Sequence, residues 1–250
     1  MKNLSVLPKA LFVSITLLFT SCDDMTVQTG DGSDKVKGNG VFTTEERAIS
    51  SFNQISLEGV FNVYLIQKSK ESIRIEADEN ILPYIITEVE NNILTVKMKD
   101  DSKIIKVKKI NVYVTLADIN KLETKGVGLL NCMGKLNLRN VELNLNGVGA
   151  TKLNLDCDVL DIHSELVGAL QLSGTANELK IKHKGIGAFE AFNFKAKKLS
   201  LESDGVGKAE VYASEELIVD AKGIGGVIYK GNPGTKNIKS NGVGVVESAN

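Results

Sequence analysis

Asp161-x-His163-x-Glu165 sets an imidazole between two carboxylates, an arrangement able to hold a metal ion or to pass protons. In an extended segment alternate side chains point the same way, so all three would share one outward face. A second use of the same residues competes with this one. If the chain stacks on itself, the following coil carries Lys180, Lys182 and Lys184 in those columns. Opposite charges facing each other across strands contribute about 0.2–1 kcal/mol each and help to fix register. We read Asp161, His163 and Glu165 first as rungs of a charge ladder, with a metal or catalytic set as the alternative. No cofactor is expected.

Phe192 and Tyr212 fall in one outward column of consecutive coils, with Tyr229 close by. Exposed rings in a row are candidate ligand-binding residues for a sugar or a protein partner; an aromatic stack that merely covers a strand face is the alternative. His183 shares an inward column with Thr124, Ser164, Ser203 and Ser240, which reads as a buried polar ladder. No Ser-His-Asp set is visible, and the chain has 2 histidines in all. Cys132 and Cys157 lie in different columns, so stacking does not bring them together. They read as small core residues without metal-ligand spacing.

The elements that must position these side chains come from one phrase written seven times between Leu122 and Val246. It runs Gly126-Val127-Gly128, Gly147-Val148-Gly149, Leu166-Val167-Gly168, Gly185-Ile186-Gly187, Gly205-Val206-Gly207, Gly223-Ile224-Gly225 and Gly242-Val243-Gly244. The starts lie 21, 19, 19, 20, 18 and 19 residues apart, the mark of a stacked repeat. Ahead of each triplet runs a period-two segment whose inward column is wholly aliphatic: Leu122, Leu143, Ile162, Ile181, Leu201, Val219 and Ile238. Short strands joined at glycine corners cannot bury such a face alone. The expectation is an all-β fold, a right-handed parallel β-helix or solenoid of about 19 residues per repeat. Seven coils about 4.8 Å apart would span roughly 29 Å. The central Val and Ile of the triplets are expected to be buried, being β-branched. The glycines mark a left-handed backbone or a close approach of neighbouring coils. Anion binding at these Gly-rich turns is set aside, because no helix-forming stretch follows any of them.

Residues 1–21 read as a signal segment, with Lys2 and Lys9 ahead of an apolar run too short to span a membrane. Leu18-Phe19-Thr20-Ser21-Cys22 resembles the lipobox of bacterial lipoproteins, which makes Cys22 the expected lipidation site and the lipid the expected membrane contact. Residues 22–40 are poor in large apolar side chains and read as a flexible tether, with a reach of about 25 Å. Residues 41–120 form an irregular, strand-rich first half of the same domain, and 121–250 the repeat. Leu82-Pro83-Tyr84 allows one short helical turn, and Asn91-Asn92 marks a tight turn.

Phe52-Asn53-Gln54-Ile55-Ser56-Leu57-Glu58-Gly59-Val60, then Glu76-Ala77-Asp78-Glu79-Asn80-Ile81-Leu82-Pro83-Tyr84, then Thr87 to Val96, followed by Gly-Val-Gly repeats, resembles the putative auto-transporter adhesin head family of GIN-domain proteins. The resemblance runs from about Val41 to Glu247. It implies a β-helix-like secreted or surface domain carried on lipoproteins of Bacteroidetes, and it brings no catalytic residue with it. Asp23 and Asp24 behind the expected lipidated cysteine resemble the surface-export pattern of that group.

Charge narrows the partners. The chain has 30 Lys and Arg against 31 Asp and Glu, and loss of Lys2 and Lys9 leaves a net charge of −3. That is no footprint for nucleic acid. The basic run Lys97 to Lys109 lacks interleaved aromatics and reads as an edge-protecting strand face. The expected protein is an envelope lipoprotein, anchored at the outer membrane and facing the periplasm or the cell surface. It acts as a non-catalytic binding or adhesion scaffold for a glycan or a surface protein. The alternatives are a β-helix carbohydrate-active enzyme, a polysaccharide lyase or hydrolase, and a structural envelope component.

Overall fold

The computed structural model describes residues 35–99, 103–105, 107 and 109–250. The expected signal segment, Cys22 and the tether up to residue 34 lie outside the described residues. Ser33–Asn250 forms a unit of its own, and it holds every buried core side chain among the described residues.

The strands in chain order are β1 (Lys35–Lys37), β2 (Phe42–Arg47), β3 (Gln54–Gln67), β4 (Ser72–Asp78), β5 (Ile85–Glu90), β6 (Ile93–Met98), β7 (Lys103–Ile105) and β8 (Asn111–Leu116). They continue with β9 (Lys121–Cys132), β10 (Leu136–Asn137), β11 (Asn140–His183), β12 (Ile186–Ser203), β13 (Ala209–Ala221), β14 (Val227–Lys230), β15 (Thr235–Ser240) and β16 (Val246–Ser248). A 3-10 turn at Leu82–Tyr84 is the one helical piece among the described residues. The fold is all-β: one large mixed sheet of 14 strands and one sheet of 2.

Within the large sheet the repeat strands pair in parallel, each with the segment one period further on. Leu122 faces Leu143, Ile181 faces Leu201, Leu201 faces Val219, and Val219 faces Ile238. The aliphatic column is buried as expected from Ile55 to Val219. Ile238, on the last strand paired in this ladder, is 39% exposed because no further strand covers it. Each buried aliphatic side chain contributes about 1.5–3 kcal/mol of hydrophobic stabilisation.

The first half of the chain extends and closes this stack. Strand β3 pairs in parallel with β9 from Gln54–Lys121 to Leu65–Cys132, which aligns Gly59 with Gly126 and Val60 with Val127. It is thus an eighth copy of the phrase. Strands β8, β4 and β2 then continue the sheet, with β4 antiparallel to both neighbours. A hairpin of β5 and β6 turns at Asn91 and Asn92, whose φ values of 51° and 63° are left-handed.

Three expectations are corrected. The Val and Ile of the triplets point outward: Val60, Val127, Val148, Val167, Ile186, Val206, Ile224 and Val243 are 43% to 71% exposed. Alternation passes through the glycines without a break, so Leu122, Thr124, Gly126, Gly128 and Leu130 share the inward parity and Val127 takes the outward one. Consistent with this, strand pairing continues through the triplets that begin at Gly126, Gly147 and Leu166, where corners were expected, and β11 alone is 44 residues long. At the triplets that begin at Gly205, Gly223 and Gly242 the strands do break as expected, leaving isolated bridges at Val206, Ile224 and Val243. Finally, residues 35–40 of the supposed tether are paired: β1 runs parallel to β7, Asn80 Nδ2 donates to the Lys37 carbonyl (2.8 Å), and Asn39 N donates to Asn80 Oδ1 (2.9 Å).

The glycines do what both readings required of them. Gly187 has φ 136°, and a Cβ there would lie 1.8 Å from the carbonyl oxygen of Gly168 on the neighbouring strand. Only glycine lets two stacked backbones approach so closely in that conformation.

Candidate functional site

The outward Val and Ile side chains form a ladder, one rung per repeat of the phrase, eight rungs in all. Parallel register spaces the rungs by about 4.8 Å, so the ladder runs roughly 34 Å along the sheet. Six of the eight rungs are flanked by glycine on both sides; Val60 is followed by Phe61 and Val167 preceded by Leu166. Two residues further on, Leu129, Ala150, Ala169 and Ala188 continue the same outward parity in aligned positions, which adds a low apolar row beside the ladder. Two residues before each rung lies a polar row that includes Lys125, Asn146, Glu165, Lys184, Asp204 and Lys222. The face is therefore a narrow apolar strip with a charged border. Contiguous exposed apolar strips of this size are uncommon on soluble monomers.

At one end of the strip a cleft of about 450 Å³ opens between Val60, Phe61, Val127 and the side chains of Met98, Val107 and Ile110. Its wall is apolar apart from Asn62 and Lys109.

Asp161, His163 and Glu165 do share an outward face. Asp161 Oδ1 lies 3.4 Å from His163 Nε2, while Glu165 belongs to the polar border of the strip. No group of three His, Cys, Asp or Glu side chains able to hold a metal ion is found among the described residues. Ion pairs between and along coils are present nearby: Lys121 with Glu142 (3.2 Å), Lys135 with Asp156 (2.9 Å), and Lys222 with both Glu202 (3.2 Å) and Asp220 (2.9 Å). The carboxyls of Glu142 and Asp156 are held below their usual pKa by hydrogen bonds, to Glu142 from Asn144 and Lys121 and to Asp156 from Lys135 and Thr175.

Phe192 and Tyr212 are half-buried and do not stack on each other. Between the pairs Glu190–Glu210 and Ala196–Ala213 strand β12 advances six residues while β13 advances three, which displaces Phe192 from the column. Each ring instead carries an ammonium: Lys230 Nζ sits 4.2 Å from the Phe192 centroid and Lys195 Nζ 3.8 Å from that of Tyr212. Tyr229 pairs with Val211 in an inward column and is 8% exposed, so its ring belongs to the core. The bulge that separates the rings leaves no period-two signal to be read.

His183 is buried as expected, beside Ser164, and neither His183 Nδ1 nor Ser164 Oγ has a hydrogen-bond partner among the described residues. Burial lowers the His183 pKa and keeps the ring neutral. Both cysteines are free and half-buried. Burial, with the charges of Asp158 and Asp156 behind it, pushes the Cys157 thiol up to about 12.

Besides the ladder, sequence reasoning missed an aromatic stack on the first strands. Tyr64 and Tyr113 stack at 4.9 Å between centroids, and the Arg74 guanidinium covers the other face of Tyr113 at 3.9 Å. Tyr113 Oη and Asn111 Nδ2 both donate to Glu76 Oε2 at 3.0 Å. The signal was present in Val63-Tyr64-Leu65 and Val112-Tyr113-Val114, two outward tyrosines that align once β3 and β8 pair.

The family model described as "Putative auto-transporter adhesin, head GIN domain" matches residues 51–233. A crystal structure of a putative adhesin from Bacteroides fragilis is similar over 85% of this chain and 99% of that one, at 28% identity and a TM-score of 0.80. A putative adhesin from Parabacteroides merdae (24% identity, 87% and 100% coverage, TM-score 0.63) has the same fold. So does a putative lipid binding protein from Parabacteroides distasonis (22% identity, 87% and 100% coverage, TM-score 0.65). Comparison with curated proteins finds no match.

Proposed function

Because the chain belongs to the auto-transporter adhesin head GIN-domain family, we propose that it is a non-catalytic adhesion scaffold of the bacterial cell envelope, and that the Val/Ile ladder is its contact face. The single observation behind this reading is the exposure of eight β-branched side chains in register. Soluble monomers rarely keep such a strip uncovered, because each rung forgoes part of the stabilisation that burial brings. In this account the chain winds as a right-handed parallel β-helix, supported by in-register parallel pairing at one-period offsets. An N-terminal lipid on Cys22 holds it to the outer membrane and presents it on the periplasmic or outer side, as the sequence ahead of residue 35 supports. Asp161, His163 and Glu165 serve register and solubility, while Phe192 borders a polar cleft of about 530 Å³, lined also by Gln171, Glu190, Asn193, Glu210 and Lys230 and open to a glycan.

The test is a glycan and matrix-protein array probed with Ser33–Asn250, followed by product analysis of whatever binds. Saturable binding with no product supports an adhesion scaffold. Release of cleaved fragments would overturn it in favour of a carbohydrate-active enzyme.

A further inference from the structure

The apolar strip has a polar border whose charges are arranged about its midpoint. The fourth and fifth rungs of the ladder are Val167 and Ile186, and they are paired neighbours. Beside them in the border stand Glu165 and Lys184, on adjacent coils held by the Lys184 N to Ser164 carbonyl bond (2.8 Å). Glu165 and Lys184 make no ion pair with any described residue, whereas Lys180 pairs with Glu178 and Lys222 with Glu202 and Asp220. From this arrangement we infer that the ladder docks on the ladder of a second copy of the same chain, antiparallel, about a two-fold axis between Val167 and Ile186. The inference rests on the reading of the ladder as a contact face and names what covers it.

Two arguments single out a second copy. The first is charge. A two-fold axis lying in the interface and crossing the ladder at its midpoint sets the fourth rung of one copy against the fifth of the other. Glu165 then meets Lys184 of the second copy, and Lys184 meets Glu165, so one sequence satisfies itself twice. The same operation sets Asn146 against Asp204. It also brings Lys125 opposite Lys222, but these two are already neutralised at home, Lys125 by Glu123 (2.8 Å) and Lys222 by Glu202 and Asp220. The second argument is area. Eight rungs at this exposure offer on the order of 600 Å², the upper end of what a monomer displays. Two such faces with their borders bury roughly 1,200 Å² or more, the threshold of a stable standard-size interface. A row of evenly spaced Val and Ile side chains also meets its own copy without a mismatch of spacing.

Sedimentation velocity on Ser33–Asn250, which holds every buried core side chain among the described residues, is expected to show a concentration-dependent dimer. Glu165→Lys should raise the dissociation constant about ten-fold, and adding Lys184→Glu should restore it, because the swapped charges meet again across the axis. A chain that stays monomeric at every concentration overturns the inference; so does a dimer equally tight in the single and the swapped variants. A monomer that still binds the array, and loses that binding in Val167→Lys/Ile186→Lys, overturns the second-copy inference while the contact-face reading stands. A dimer and an array signal both untouched by Val167→Lys/Ile186→Lys would overturn both.

Discussion

Replacing Gly187 by alanine drives a methyl group into a carbonyl. The new Cβ would lie 1.8 Å from Gly168 O, against an ordinary contact of about 3.5 Å, so the two coils must part by more than an ångström at that point. Two ladder hydrogen bonds there, worth about 1 kcal/mol each, stretch out of range. The φ of 136° adds about 1–3 kcal/mol of backbone strain for a residue with a side chain. The expected loss is about 3–5 kcal/mol of unfolding free energy. Two companions separate the causes. Gly134→Ala has φ 105° but nothing within 4 Å of the new atom, so strain alone acts, at about 1–2 kcal/mol. Gly205→Ala lacks a left-handed φ but meets Gly185 O at 2.2 Å, so overlap alone acts. Urea unfolding followed by circular dichroism reads all three. If Gly187→Ala costs no more than Gly134→Ala, close approach of the coils is not what demands glycine.

Three further predictions use the same molecule. The lowered His183 pKa means that the unfolded chain takes up the proton first as pH falls; stability is level above about pH 6.5 and drops below it, by at most about 1.4 kcal/mol per pH unit from this group. His183→Ser should flatten that slope between about pH 6.5 and 5, and an unchanged slope would exclude His183 as its source. Cys157, with its thiol raised to about 12, should resist a disulfide reagent at mildly alkaline pH until the chain is unfolded, and rapid labelling of the native protein would contradict its environment. Tyr229→Ala should cost about 3–5 kcal/mol as a core truncation, and Phe192→Ala far less, because its lysine contact is worth about 0.5–1 kcal/mol; equal losses in urea unfolding would refute the inward placement of Tyr229.

Periodicity made the repeat and its aliphatic column legible. Leu122, Leu143 and Ile162 recur at the period, and parallel pairing needs only that recurrence to bury them together. The column of Val127 was misplaced because its residue type was weighed above its parity. Counting by twos from Leu122 through two glycines places Val127 outside, but β-branched side chains are ordinarily core residues and glycine ordinarily ends a strand. Here the strand runs on through the triplets that begin at Gly126, Gly147 and Leu166, and breaks at those that begin at Gly205, Gly223 and Gly242. The Phe192–Tyr212 column failed for another reason: a bulge in β12 is a local departure that no period can announce. Tyr64 and Tyr113 were out of reach until β3 and β8, far apart in sequence, were known to be neighbours. The pairing of β1 with β7 is equally non-local, so a polar stretch read as a tether.

The claim on which the account turns is that the ladder is outside and available for contact. The most direct measurement is Val167→Lys/Ile186→Lys in Ser33–Asn250, with unfolding free energy and partner binding read on the same preparation. An outward contact face predicts a stability within about 1 kcal/mol of the parent, since the two ammonium groups remain in water, together with loss of binding and of self-association. A loss of several kcal/mol would return these side chains to the core, and a stable variant that binds as before would leave the ladder without a function.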